Sequence, residues 1–211
     1  MNACVNSPGF DFEEILTAKC FYDPKDVSSL ILLGALQCIQ LRNSEKGFRT
    51  LKTVLRYDPK NVDARFWLGL YFSRIYPKYD QAEKFLSEAL TLDRNRSDCL
   101  LMMADINWEK RGSLEQSLLY LKQAIQNSPD WPIPRLEMIY VLMNLGQFEE
   151  IEQEIEQLSL LQGQIVKSPE NPVEEYYEKA ITGRGWTNLA ERLASLKNHA
   201  RPALNFFNIK K

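Results

Sequence analysis

Few side chains in this 211-residue chain combine type and spacing suited to making or breaking bonds. His199 is the only histidine and the first place to look for a general base, since imidazole titrates near neutrality. It sits in a basic stretch with Arg192, Lys197 and Arg201, with no nucleophile, metal cluster or phosphate loop beside it, and reads as a surface residue. Gly183-Arg184-Gly185 is too short to cradle a phosphate. Cys4, Cys20, Cys38 and Cys99 are far apart and form no C-x-x-C pair, so they read as small apolar residues kept reduced in the cytosol, not as zinc or redox ligands. Scattered Asp and Glu residues would have to be paired by folding. The expectation is a chain that is not an enzyme, with no catalytic residue, metal or cofactor.

The more informative pattern is the one that would position side chains for binding. A shift of 35 residues aligns Gly47 with Ala82 and Ser117, Leu51 with Leu86 and Leu121, and Val54 with Ala89 and Ala124. It also aligns Leu33, Leu68, Met103 and Met138, and it aligns Pro24 with Pro59 and Pro129, Arg94 taking the proline's place in the third member. Self-similarity at this period means stacked two-helix units, each unable to bury its apolar face without the next.

Composition fits one elongated helical body. Lys plus Arg number 26 against 28 Asp plus Glu, a net charge of −2, far from the basic excess that nucleic-acid binding requires. No run reaches the roughly 18 apolar residues of a membrane span, and residues 1–10 lack the basic start and apolar core of a signal peptide. The reading is a cytoplasmic protein with protein or peptide partners, without nucleic acid and without membrane insertion.

Within each unit, apolar residues at helical spacing are followed by a break and a second helical run. In the second unit Phe66, Leu68, Gly69, Leu70, Tyr71 and Phe72 share one helix, which Tyr76-Pro77-Lys78 ends because Pro77 cannot donate the bond a helix interior needs. Ala82, Phe85, Leu86, Ala89 and Leu90 mark its partner. In the third, Leu101, Ala104 and Trp108 form the first helix, Arg111-Gly112 the turn, and Leu114, Ser117, Leu121 and Ala124 the second helix, closed by Ser128-Pro129. A fourth unit begins after Trp131-Pro132-Ile133-Pro134 and turns at Gly146, at a spacing of 34 from Gly112; its second helix carries Phe148, Ile151, Ile155 and Leu158 and an acidic run at 149–156 that reads as a solvated face. Residues 12–22 before Asp23-Pro24 match only the second helix of a unit, so the array opens on a half unit.

These features resemble the tetratricopeptide repeat (TPR) family, with its pattern W-x2-L-G-x2-Y, a later small residue, a large apolar residue, an alanine and a closing proline. Trp67-Leu68-Gly69, Phe72, Ala82, Leu86 and Ala89 carry the match, although Trp67 directly precedes Leu-Gly and the turn before Ala82 is one residue longer. The resemblance covers about residues 11–161 and implies an all-α, right-handed superhelical solenoid with a concave groove lined by the first helix of each unit. Residues 1–10 read as a flexible N-terminus, 11–161 as the array of a half unit plus about four units, 162–172 as a loop, and 173–211 as C-terminal capping helices and a tail.

Transferring the family's groove positions selects Ile31, Leu32, Ala35 and Ile39, then Phe66, Trp67, Leu70 and Arg74, then Met102, Asp105, Trp108 and Glu109, and finally Leu136, Glu137, Tyr140 and Asn144. The lining is mostly apolar and aromatic, as partner sites are. The family's carboxylate clamp for acidic chaperone tails is contradicted by Ser28, Leu32, Trp67, Leu70, Asp98 and Met102 at its positions. What fits is an adaptor or chaperone role, holding a hydrophobic or amphipathic segment along the groove. Against this stands the plainer reading that repeat aromatics pack between units.

Residues 145–182 carry a balance of −7 and residues 183–211 one of +5. The apolar end, with Phe206, Phe207 and Ile209, could enter this molecule's groove or that of a second copy, as in a homo-oligomer. The alternative function is a structural subunit of a larger assembly, joined through outer faces or by self-association.

Overall fold

The computed structural model describes residues 12–40 and 43–162. A lone helix α1 (Phe12–Tyr22) precedes four helix pairs: α2 (Val27–Ile39) with α3 (Ser44–Tyr57), α4 (Val62–Leu70) with α5 (Tyr79–Leu92), α6 (Ser97–Asp105) with α7 (Leu114–Asn127), and α8 (Pro132–Leu145) with α9 (Phe148–Gln162). Each helix packs mainly on its neighbours in the chain, and α4 also touches α2 and α6, so the first helices of successive units run side by side along one face. The expected N-terminal segment, the loop after the array and the C-terminal helices lie outside the described residues.

The joints between units follow from their sequence. In Asp23-Pro24-Lys25-Asp26 and Asp58-Pro59-Lys60-Asn61, the first aspartate accepts the backbone N–H two residues on at 3.2 Å, and the last residue caps the next helix. Asp26 accepts from Ser29 N at 3.1 Å and Asn61 from Ala64 N at 2.9 Å. An Asx turn thus halts one helix and a side-chain cap starts the next within four residues. The fourth unit differs from expectation at this point: α8 starts at Pro132 itself, where a proline's fixed φ and missing N–H are tolerated in the first turn.

The columns that align at 35 residues are the packed core. Leu51, Leu86 and Leu121, and likewise Val54, Ala89 and Ala124, are all at most 1% exposed. Gly47 lies where two backbones meet, since a Cβ there would stand 2.6 Å from Cys38 N, whereas a Cβ on Gly69 would press on the Leu86 side chain, 2.7 Å from its Cγ. Units two and three fill the equivalent of Gly47 with Ala82 and Ser117, both fully buried.

The extra residue that lengthens the tetratricopeptide spacing has a specific place. In units two and three the first helix ends in a π-turn, Tyr71–Ile75 after α4 and Ile106–Lys110 after α6. Tyr76 N donates to Tyr71 O at 2.8 Å and Lys78 N to Phe72 O at 2.8 Å; 35 positions later Arg111 N donates to Ile106 O and Ser113 N to Asn107 O. The added residue is absorbed inside the helix and not in the connecting turn. In unit four α8 stays α-helical to Leu145 and exits through Gly146 at φ 71°, which accounts for the spacing of 34 between Gly112 and Gly146.

Candidate partner-binding face

The face shared by α2, α4, α6 and α8 carries the residues selected from sequence, in rows that repeat along the array. One row is Ile31, Phe66, Leu101 and Leu136; the next is Leu32, Trp67, Met102 and Glu137; a third is Ala35, Leu70, Asp105 and Tyr140. Their exposure is uneven. Leu32 is 38% exposed and Ile31 and Ile39 half-buried, whereas Phe66, Met102 and Leu136 are 0% exposed and Trp67, Leu70 and Ala35 are buried. Phe66, Trp67, Leu70, Met102 and Leu136 therefore belong to the continuous apolar core and are not open lining as the positional transfer had them. Arg74, Asp105, Trp108 and Tyr140 are half-buried, Asn144 is exposed, and nothing is described of the Glu109 side chain. Phe206, Phe207 and Ile209 lie outside the described residues, as does His199.

Charged groups knit this face together in a way that residue spacing did not announce. Arg74, at the end of the π-turn after α4, pairs with Asp105 at the end of α6. Arg96, in the joint before α6, donates to Asp63 at 2.5 Å and to Asp98 at 2.6 Å, and its guanidinium carbon stands 5.7 Å from the centre of the Phe66 ring. Burial pulls Arg96 down, but the hydrogen bonds and charges of Asp98 and Asp63 outweigh it and hold the guanidinium above its ordinary range. Asp63 and Asp98 are 35-residue equivalents, so a single arginine ties together two repeats. The signal for this was faint: Arg96 stands where the other joints carry Asp26, Asn61 and Trp131, and departures from the repeat are easily passed over.

The π-turns also seat aromatics. Tyr71 stacks on Phe48 with centroids 5.2 Å apart, and Phe72 lies parallel to Phe85 at 5.9 Å, bridging α3 and α5. The acidic run of α9 is partly engaged and not wholly solvated: Lys122 reaches Glu150 at 3.1 Å, and Arg135 reaches Glu154 at 2.6 Å with both side chains largely covered. Among the described residues, no group of three or more His, Cys, Asp or Glu is placed to hold a metal, and no helix is long and apolar enough to cross a membrane. Cys20, Cys38 and Cys99 are free thiols.

No family model and no curated protein matches the sequence. Solved structures do match in fold. A structure of MamA is 15% identical with TM-score 0.59, covering 74% of this chain and 90% of that one. YrrB, described as a TPR protein with an unusual peptide-binding site, is 17% identical with TM-score 0.56, covering 93% of this chain and 99% of that one. TTC0263, a thermophilic TPR protein in Thermus thermophilus, is 17% identical with TM-score 0.58, covering 81% of this chain and 89% of that one.

Proposed function

Because this chain folds as an all-α, right-handed superhelical solenoid of tetratricopeptide type, we propose that it is a protein-protein interaction module that holds an apolar or amphipathic segment of a partner against its first helices. The observation that carries this reading is the strip of half-buried and exposed apolar side chains left on that face: Ile31, Leu32 and Ile39 at one end, Trp108 and Tyr140 towards the other. Such a strip offers aromatic and aliphatic anchors that lose little conformational entropy on binding. The Arg74–Asp105 and Arg96–Asp63 pairs hold the helices in register, so the face is formed before a partner arrives. An adaptor or chaperone working in the cytoplasm is the role this suits.

A second reading is favoured by one observation. Phe21 and Tyr22 are 79% and 86% exposed at the end of the half unit, which suits a structural subunit that assembles through its outer surfaces.

The test is capture of cellular proteins by wild type and by Leu32→Glu and Trp108→Ala variants, each first checked for folding by circular dichroism. Loss of one partner from both variants upholds the docking face. An unchanged captured set, together with salt-sensitive self-association, moves the function to the outer surfaces.

A further inference from the structure

We infer that the open side of α1 is a self-association surface, on which α1 of a second copy of this chain lies antiparallel. The inference deepens the reading of outer-surface assembly and does not depend on the docking face. Four observations carry it.

The first is the place of α1 in the repeat. Helix α3 gives one side to the first helix of its own unit: Gly47 lies against Cys38 of α2, and Thr50 donates to Gln37 Oε1 at 3.0 Å. Shifted back by 35 residues, that side of α1 is Phe12, Ile15 and Lys19, and it stands open. Phe12 is 43% exposed, Ile15 46%, the Lys19 side chain 61%, and Tyr22, one step further along, 86%. Helix α1 docks on α2 by another edge, where Leu16 is buried and Glu13 accepts from Gln37 Nε2 at 3.1 Å.

The second is size. The columns that hold Gly47, Ala82 and Ser117, and Val54, Ala89 and Ala124, hold Phe12 and Lys19 in α1. A Cβ on Gly47 would already stand 2.6 Å from Cys38 N, so a first helix seated as α2 is on α3 would run into the Phe12 ring. The open side therefore excludes a helix of repeat type and suits one held at a wider separation.

The third is pattern. Phe12, Ile15, Lys19 and Tyr22 follow one another at spacings of three, four and three, as the residues of a two-helix seam do. The set is self-complementary about a two-fold axis at the level of Thr17. Phe12 then meets Tyr22 of the partner subunit, and Ile15 lies along the aliphatic stem of the partner's Lys19.

The fourth is charge. Glu13 and Glu14 stand in the first turn of α1 and Lys19 in the last. Antiparallel pairing sets the acidic start of each helix beside the basic end of the other and opposes their macrodipoles. The far end of the array offers no such match, since α9 presents Glu149 and Glu156 to solvent and would bring like charge to Glu13 and Glu14.

The contact is small. Taking about 200 Å² for a whole aromatic side chain, the open apolar side chains amount to roughly 350 Å² per copy, or about 700 Å² in the pair. A standard interface buries about 1,200 Å² or more, so this association is weak and concentration-dependent.

The experiment is sedimentation equilibrium of the full chain over a concentration series. Wild type should pass from monomer to dimer with one dissociation constant. Ile15→Lys, which sets ammonium groups together in the antiparallel seam, and Tyr22→Ser should each raise that constant at least tenfold. Their circular-dichroism melts should match wild type, because both positions are exposed. Leu119→Ser, at a position 55% exposed on α7, should leave the constant unchanged. A wild type that stays monomeric throughout overturns the inference. So does a dimer that Ile15→Lys and Tyr22→Ser leave intact, or one that Leu119→Ser weakens equally. Orientation is read by mixing and oxidising chains that carry Phe12→Cys or Tyr22→Cys, each in a Cys4→Ser, Cys20→Ser background. Cross-links between unlike chains should predominate, and a predominance of like-with-like cross-links overturns the antiparallel pair. None of these substitutions touches Leu32 or Trp108, so the docking face stands or falls on its own capture test.

Discussion

Arg74 and Asp105 lie 31 positions apart and form an ion pair that joins the π-turn of one repeat to the first helix of the next. The guanidinium is 25% exposed and the carboxylate 12%, so neither is screened as a surface pair would be. Asp105→Asn should lower unfolding stability by about 1–3 kcal/mol, because it leaves a half-buried cation facing a neutral amide. Urea melts of Asp105→Asn, Arg74→Met and the double variant check this: a coupling energy below about 0.5 kcal/mol would mean that the pair is incidental.

Burial divides the face into residues that hold the fold and residues that can meet a partner. Phe66→Ala should cost about 3–5 kcal/mol of stability, since the side chain is fully enclosed and leaves a cavity. Trp108→Ala and Tyr140→Ala should cost markedly less while each weakens partner binding by about tenfold or more, as aromatic anchors do. Thermal melts beside binding isotherms give both readouts; loss of binding in strict proportion to loss of stability would remove Trp108 and Tyr140 from the site.

Thiol reactivity should rank with burial. Burial pushes the Cys38 thiol up to about 12, and Cys99 is raised by burial with the Asp98 carboxylate adding to it. Cys20 is raised less, by burial and the nearby Asp26, and is only half-buried. In a Cys4→Ser background at pH 8, a disulfide reagent should modify one thiol promptly, Cys20, and the other two only as fast as the array opens. Rapid modification of Cys38 or Cys99 would show that the first or third unit opens far more easily than its packing implies.

Acid should loosen the start of the array through Asp26. Hydrogen bonds from the Ser29 hydroxyl, Lys19 and the Ser29 backbone N–H all favour the carboxylate and hold it well below the usual range. A depressed folded-state value means that stability is fully present above the unfolded value of about 3.9 and is lost as pH falls below it. Asp26→Asn keeps a capping side chain but cannot titrate, so its melting temperature should fall less steeply than that of wild type between pH 5 and pH 2. Parallel slopes would show that Asp26 does not govern this range.

How much of this was legible depended on what each feature requires. Helix limits were readable where a breaker acts locally: Asp23-Pro24 and Asp58-Pro59 end helices whatever surrounds them, and the half unit at Phe12–Tyr22 follows from the first of these. The 35-residue columns were readable because Leu51, Leu86 and Leu121 must be alike to pack alike. The fate of the added residue in units two and three was not, because a longer turn and a π-turn have the same length in sequence; in unit two the π-turn comes with Tyr71 and Phe72 seated against Phe48 of α3 and Phe85 of α5. Nor was the enclosure of Phe66, Met102 and Leu136, since periodicity places a residue on a helix face without saying what lies over it. Arg96 was missed for a related reason: its two carboxylates, Asp63 and Asp98, belong to different repeats, and only stacking brings both within reach.

The chain-neighbour packing of the helices has a mechanical consequence. Among the described helices, contacts are concentrated between those successive in the chain, and the array behaves as a spring whose coils are the repeats. Bending it changes the spacing between first helices at small cost per joint, and the ionic rungs at Arg74–Asp105 and Arg96–Asp63 set its local stiffness. A segment laid along several first helices at once would fix the spacing between them, so that its binding would set the pitch of the coil and the reach from α1 to α9.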